Sequence, residues 1–523
     1  MNRKKNTRLA AVIDIDSNAL KMRISQLKKG KIADLETLEY PLRLGHEIFT
    51  TGKISFESLR ELSSLLHGYE DTLSGYGVTN CRTVATTALR EAENRSFIID
   101  QLKIQNEVQV EVLEESQEKS LIYWEMLNCL EQMGKKQGES ALVCYIGAGT
   151  IGFSVYNGKQ MIFSQNIPIG SLKLHDMLGN IQAMTENFST VVEEYLDSIL
   201  LHIKIPLENG KANNLVLAGS GIRLLAKICG VPLENGRYKL NSLQLRELFK
   251  KIRKMPQDRI SRKYHLSEEM AELFYSSLAI SLKLLKFTVS TTVVSPDVEL
   301  WDALIRQMLL PKSAAQYQKH VQVSAISCAE EIADSYHCSR LHTECVRQFS
   351  CKIFDKMKGA HGLGARERLL LEIAAILHDC GHYVTVKGHL QSSFDLIKDM
   401  DLYGLTEEEK LLTAFVARYN EYDVPDPQDA AFASLNEKNR LIVSKLIAIF
   451  RLANALDKSQ KQKLSELKVR LDKDRLKISS RSDANLYLEQ WAFGQCAPYF
   501  KEVFGYNPEL TLQTDLLQTN QRL

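Results

Sequence analysis

Ala141-Leu142-Val143-Cys144-Tyr145-Ile146-Gly147-Ala148-Gly149-Thr150-Ile151-Gly152-Phe153-Ser154-Val155-Tyr156 decides the architecture of the first half of this chain. The apolar run Ala141 to Tyr145 reads as a buried strand and Gly147-Ala148-Gly149-Thr150 as a tight turn. Gly152 to Tyr156 reads as a returning strand that ends in the turn Asn157-Gly158. Two other loops follow the same pattern. Leu9 to Ile15 runs into Asp14-Ile15-Asp16-Ser17-Asn18, and Leu215 to Ala218 runs into Gly219-Ser220-Gly221. Apolar runs that stop at glycine loops indicate a sheet covered on both faces. A phosphate requires backbone N–H donors, close approach and little bulk, and glycine turns after buried strands provide them. Ordinary β-turns would use the same residues.

Outward from these loops, Leu20 to Leu27 and Lys31 to Tyr40 read as strands joined at Lys29-Gly30. Ser55 to Gly68 has helical spacing, Cys81 to Ala85 is a strand, and Thr86 to Asn94 a strand-to-helix passage. Val108 to Leu113 is a strand and Glu118 to Met133 a helix. An acidic strand end with glycine and hydroxyl loops in each half is the layout of an actin-like phosphate cleft. The expected fold class is α/β, with actin-like ATPase-type duplicated lobes at residues 1–125 and 126–312. From Ser313 to about Gln460 strand signals vanish and helical patterns take over, so residues 313–462 are expected to form an all-α domain. A small α/β module should follow at residues 463–523: Leu467 to Leu471, Leu476 to Ser479, a helix from Leu486 to Val503, and Leu510 to Leu512.

With 523 residues the chain exceeds one ordinary domain. Its hydrophobic fraction of 44% and charged fraction of 25% are those of a globular protein. A net charge of +2, with only short basic clusters such as Arg3-Lys4-Lys5, argues against a specific nucleic-acid partner. Ten cysteines without a CxxC pair suit a reducing compartment, and Cys144 and Cys229 read as buried thiols. No apolar run approaches a transmembrane span, so a cytoplasmic location and no membrane partner are expected.

Four segments then resemble one family. Ala11 to Met22 looks like the opening strand and loop of the exopolyphosphatase/guanosine pentaphosphate phosphohydrolase (Ppx/GppA) family. Val84 to Arg95 resembles its Thr-Ala-Leu-Arg segment, Glu111 to Tyr123 its Glu-Glu-Ala helix, and Asn166 to Leu174 its Pro-x-Gly-x-x-x-Leu turn. The resemblance implies that Glu118 is the catalytic base toward water and that Arg90 grips the phosphate chain with its planar fork of donors. It implies that Asp14 lies near a Mg²⁺ ion and that Ser17, Asn18, Gly147, Gly149 and Thr150 line the phosphate site. A solvated carboxylate on a charged helix face is the alternative for Glu118. Departures are present too: Asp16 stands where the family has glycine, Tyr145 where it has aspartate, and Ala148 where it has the middle glycine. Its Arg-Glu-Gly segment is not evident around Val298 to Leu304. Loss of one carboxylate would impair a metal-dependent site, and Asp16 is the candidate replacement.

The helical half carries Leu341-His342, Ile376-Leu377-His378-Asp379 and Leu452 to Asp457. A single His, an adjacent His-Asp and a late Asp on helices resemble the HD phosphohydrolase superfamily. Two imidazoles and two carboxylates can hold a divalent metal with positions left open, so His342, His378, Asp379 and Asp457 are the expected ligands of one divalent transition metal. A histidine satisfied within a helix bundle is the alternative. Asn420, Leu390 and Ser392 stand where further histidines are common, which favours one metal over two. Glu489-Gln490-Trp491 and Val503-Phe504-Gly505 resemble the family's last domain.

The resemblance thus implies a hydrolase that removes terminal phosphate from polyphosphate or guanosine pentaphosphate, with a homodimer as the expected assembly. Two alternatives stay open: a catalytically degenerate phosphate-binding sensor or scaffold, and a metal-dependent HD-domain phosphohydrolase.

Overall fold

The computed structural model describes residues 8–131, 139–182, 188–421, 423–426, 428–482 and 484–513. Arg3-Lys4-Lys5 and the end of the helix expected to reach Met133 lie outside the described residues. The chain forms two compact units, Met1–Ser324 and Ala325–Leu523.

The first unit contains two mixed sheets built on the same plan. Strands β1 (Arg8–Ile15), β2 (Ala19–Lys28), β3 (Lys31–Pro41), β4 (Cys81–Ala85) and β5 (Val110–Val112) line up in the order β3-β2-β1-β4-β5. Strands β6 (Ala141–Ile146), β7 (Ile151–Tyr156), β8 (Met161–Ile167), β9 (Asn214–Ala218), β10 (Arg237–Asn241) and β11 (Thr292–Pro296) line up as β10-β11-β9-β6-β7-β8. In each sheet an antiparallel meander of three strands continues into two parallel strands: β1 pairs parallel with β4, and β6 with β9. This is the duplicated actin-like plan. Each sheet has its own apolar core, around Ile13, Leu20 and Leu62 in one and Phe153, Leu217 and Phe274 in the other.

Local chemistry explains most boundaries. The helix Phe56–Tyr76 starts where Ser55 Oγ accepts the Ser58 N–H at 3.1 Å. It passes through Gly68, the expected end, because glycine inside a helix costs only about 1 kcal/mol. It stops at Gly77, whose φ of 67° ends the helix in the left-handed region. Strands β8, β10 and β11 carry little sequence signal, because their short, mixed runs have little periodicity. All ten cysteines are free thiols, with Cys144 buried and Cys229 half-buried.

The second unit is built on helices Arg340–Lys356, Ala365–Leu377, His389–Asp399, Glu407–Arg418 and Glu437–Ala455. Strands β12 (Ser465–Asp472), β13 (Arg475–Arg481) and β14 (Asn507–Gln513) form a sheet of order β12-β13-β14, with the helix Tyr487–Phe504 between the last two in sequence. Leu467, Ile478 and Phe500 share one continuous core with Phe415, Leu446 and Phe450 of the helices. Among the described residues no helix is long and apolar enough to cross a membrane.

Candidate active site and metal centre

In the first unit the functional groups collect at the carboxyl ends of parallel strands, where α/β sheets leave a crevice. Strand β1 delivers Asp14. This carboxylate is 5% exposed, and its Oδ1 is a buried oxygen without a hydrogen-bond partner among the described residues, as is Ser17 Oγ. Burial, then the charge of Asp16, push the Asp14 carboxyl up to about 8. Asp16 accepts the Ser17 N–H at 2.7 Å and pairs with Lys21 Nζ at 3.1 Å. The Asn18 carbonyl accepts the Leu42 N–H at 2.9 Å.

The short helix Thr87–Glu91 follows β4 and presents Arg90. Its Nη1 donates to the Leu113 carbonyl at 2.8 Å and to Glu118 Oε2 at 3.0 Å, and its Nη2 donates to Thr87 Oγ1 at 3.0 Å. Glu118 lies on the helix Glu115–Glu131 and is buried. Burial raises its pKa and the Arg90 charge opposes that rise. The solvated-carboxylate alternative for Glu118 is therefore excluded by its position.

The glycine turn between β6 and β7 is fixed from behind. Gly147 N–H donates to the Thr150 carbonyl at 3.0 Å, while the Ala148 carbonyl accepts the Leu172 and Lys173 N–H groups, each at 3.0 Å. A Cβ at Gly149 would lie 2.6 Å from Thr87 Cγ2 and 3.0 Å from Phe49 Cζ, so the turn and the Arg90 helix touch where only glycine fits. Gly219 has a φ of 133°, and a Cβ there would lie 2.3 Å from the Ile146 carbonyl oxygen. A cavity of about 270 Å³ opens beside these groups, lined in part by Asp16, Asn18, Lys21, Arg43 and Ser220.

Sequence reasoning missed Lys119, Glu115, Thr87 and Lys21. Glu115 and Lys119 have the i,i+4 spacing of an exposed helix pair. In the structure Lys119 is 2% exposed and donates to Thr150 Oγ1 at 2.9 Å. Only the apolar Leu121-Ile122-Tyr123 that follows could have signalled its burial.

In the second unit His342 and His378 face each other, with Nε2 atoms 3.3 Å apart. His378 Nδ1 lies 2.9 Å from the Ala375 carbonyl, which can only accept, so this nitrogen carries the proton. His342 Nδ1 lies 2.8 Å from Asp457 Oδ2 and is fixed the same way. Both Nε2 lone pairs therefore point into one space. Asp379 closes it, with Oδ1 3.4 Å from His378 Nε2 and Oδ2 3.8 Å from His342 Nε2. Burial lowers the His378 pKa; burial also pushes the Asp379 carboxyl up, and its neighbours His378 and then His342 bring it below the usual carboxylate range. His342, His378 and Asp379 can meet one metal ion. Asp457 is not in that group: it sits behind His342 and also accepts the Gln462 N–H at 2.7 Å. At the rim, His382 stacks on His389 with ring centroids 3.8 Å apart.

Sequence models now place the chain. The one described as the Ppx/GppA phosphatase family matches residues 23–300, and the one described as Ppx/GppA phosphatase, domain III, matches residues 326–493. The chain belongs to the Ppx/GppA phosphatase family. It is a hydrolase of phosphate groups. Among solved structures, an exopolyphosphatase from Cytophaga hutchinsonii ATCC 33406 is 19% identical with a TM-score of 0.51, over 58% of this chain and 98% of that one. An exopolyphosphatase-like protein is 17% identical with a TM-score of 0.50, over the same shares. The Aquifex aeolicus Ppx/GppA member is 20% identical with a TM-score of 0.49, over 58% and 99%. The likeness of the first two supports the fold.

Against the Ppx/GppA pattern, the unusual residues of this chain have clear surroundings. Asp16 is neutralised by Lys21, which also reaches Glu299 at 3.2 Å. Tyr145 stands among Glu118, Asp16, Lys21 and Asp14, and burial raises its phenol pKa, so it stays neutral and offers an O–H.

Proposed function

We propose that the Met1–Ser324 unit is a phosphoanhydride hydrolase that releases terminal phosphate from inorganic polyphosphate or guanosine pentaphosphate. The observation that carries this reading is the Arg90–Glu118 pair at 3.0 Å, with Asp14, whose Oδ1 has no hydrogen-bond partner among the described residues, near enough to Glu118 for their charges to interact. The Asp14 oxygen suits a hard cation such as Mg²⁺, which prefers oxygen ligands. When bound, the ion supplies charge neutralisation for phosphate oxygens. Glu118 takes the proton of an attacking water. Arg90 directs its fork at the phosphate chain, with Thr87 and the Leu113 carbonyl holding its plane. Ser17, Asn18 and the turn Gly147, Gly149 and Thr150 line the phosphate path, with little bulk at the glycines. Domains at residues 1–125, 126–312, 313–462 and 463–523 and a cytoplasmic location belong to the same proposal.

A second reading rests on the convergence of the His342 and His378 Nε2 atoms with Asp379. Two lone pairs at 3.3 Å repel unless a cation lies between them, so this HD-type centre suits one divalent transition metal. Tyr145, in place of the family's aspartate, favours a third: binding of the phosphate ligand without turnover.

One assay separates them. Phosphate release is measured from long-chain polyphosphate and from guanosine pentaphosphate, side by side, for wild type, Glu118→Ala and His378→Ala. Loss with Glu118→Ala alone supports hydrolysis in the cleft. Loss with His378→Ala alone moves the chemistry to the second unit, and an inactive wild type leaves a sensor.

A further inference from the structure

Lys119 is a buried group of the cleft that the proposed chemistry leaves unused. Its side chain is 3% exposed, and its Nζ makes a close ion pair with Glu115 and donates to Thr150 Oγ1 at 2.9 Å. Glu115 also shares a hydrogen bond with the Thr150 hydroxyl. Carboxylate, ammonium and hydroxyl thus close on one another. The arrangement sits one residue from Glu118, on the same helix, and on the glycine turn at Thr150. It is anchored from below, since a Cβ at Gly152 would lie 2.6 Å from Lys119 Cδ.

A carboxylate that binds an ammonium and a hydroxyl at a phosphate loop occupies the place a phosphate oxygen would take. Both are anionic oxygen acceptors, and both want the same donors. Glu115 is the outer member of the pair, with 27% of its side chain exposed against 3% for Lys119. It can therefore swing to solvent, while Lys119, packed along its stem, cannot. The burial that disfavours the ammonium makes it a strong partner for an incoming anion.

We propose that Lys119 is a phosphate-binding cation of this cleft and that Glu115 is a displaceable stand-in that masks it until substrate enters. The proposal rests on the reading that the cleft binds phosphate chains. The bond change is an exchange of hydrogen-bond acceptors at Lys119 Nζ and Thr150 Oγ1, with no covalent step.

The test is binding of inorganic tripolyphosphate to the full chain by titration calorimetry, with Arg90→Ala as the control for the cleft. Glu115→Gln should tighten binding and Lys119→Met weaken it, each by about tenfold, the size of one charge-assisted hydrogen bond. Lys119→Arg should keep most of the affinity, and Glu115→Gln/Lys119→Met should behave as Lys119→Met. Circular dichroism confirms that each variant folds. Binding that needs Arg90 but is unchanged by Lys119→Met and Glu115→Gln overturns this proposal and leaves the phosphate cleft standing. No binding by wild type or by Glu115→Gln overturns both. Binding that appears only in Glu115→Gln supports the mask.

Discussion

Arg90 Nη1 donates to Glu118 Oε2 at 3.0 Å while its Nη2 donates to Thr87 Oγ1, also at 3.0 Å, so one guanidinium joins the proposed base to the helix that follows β4. The pair is more than an ion pair in a cleft. Burial alone would push Glu118 toward its protonated form, and Arg90 is the first charge that opposes this.

A base must be ionised to accept a proton. Glu118→Gln should therefore reduce phosphate release by about 10²–10⁴-fold, the usual contribution of general-base catalysis. Arg90→Met removes the charge that lowers the Glu118 pKa. The acid limb of its kcat/KM profile should move to higher pH, by about one unit, besides a fall in kcat/KM at all pH values. An unmoved limb would show that the two groups are not coupled.

Asp14 carries a pH signature. Its folded pKa, about 8, lies above the ordinary carboxyl value, so its proton stabilises the fold fully below about pH 4 and that contribution is lost as pH rises through 8. Without divalent metal, Asp14→Asn should melt above wild type at pH 9, by about 2 °C or more. At pH 4 the difference should close. Mg²⁺ should raise the wild-type midpoint at pH 9 and leave the variant's unchanged, as read by thermal unfolding with and without EDTA.

The Gly149 turn is a steric joint with the Arg90 helix. Gly149→Ala brings a methyl within 2.6 Å of Thr87 Cγ2, and overpacking of this kind costs about 1–3 kcal/mol. Thermal unfolding should show the loss, and Thr87→Ser in the same chain should recover part of it, because serine lacks that methyl and keeps the oxygen Arg90 uses. No recovery would assign the damage to Phe49.

In the second unit Asp457 holds His342 by its Nδ1 at 2.8 Å. Such outer partners are worth about 10–100-fold in metal affinity. Asp457→Asn should weaken zinc or manganese binding by that factor in chelator competition, while His342→Ala and His378→Ala should abolish it. Equal loss in all three variants would make Asp457 a direct ligand.

The local and periodic parts were legible in the amino-acid order alone. The strand–glycine–strand grammar around Gly147 to Thr150 marked β6 and β7, and the order of the motifs placed Asp14, Arg90 and Glu118 in one family. Helical spacing after Ser313 marked the helical character of the second half, while the compact units divide between Ser324 and Ala325, and His378-Asp379 put two candidate ligands at one helix end. Tertiary structure alone decided the rest. Lys119 and Glu115 have the spacing of a solvated pair, and only the packing of their helix against β7 buries the lysine on Thr150. Lys21 neutralises Asp16 because the three-residue loop Asp16-Ser17-Asn18 turns the chain back and β2 sets Lys21 opposite the end of β1, a geometry no side-chain pattern records. Asp457 reads as a fourth metal ligand in sequence, yet in space it lies against His342 Nδ1 and sets that histidine's tautomer. Motif order follows from the chain, whereas burial and charge partnership follow from which elements meet.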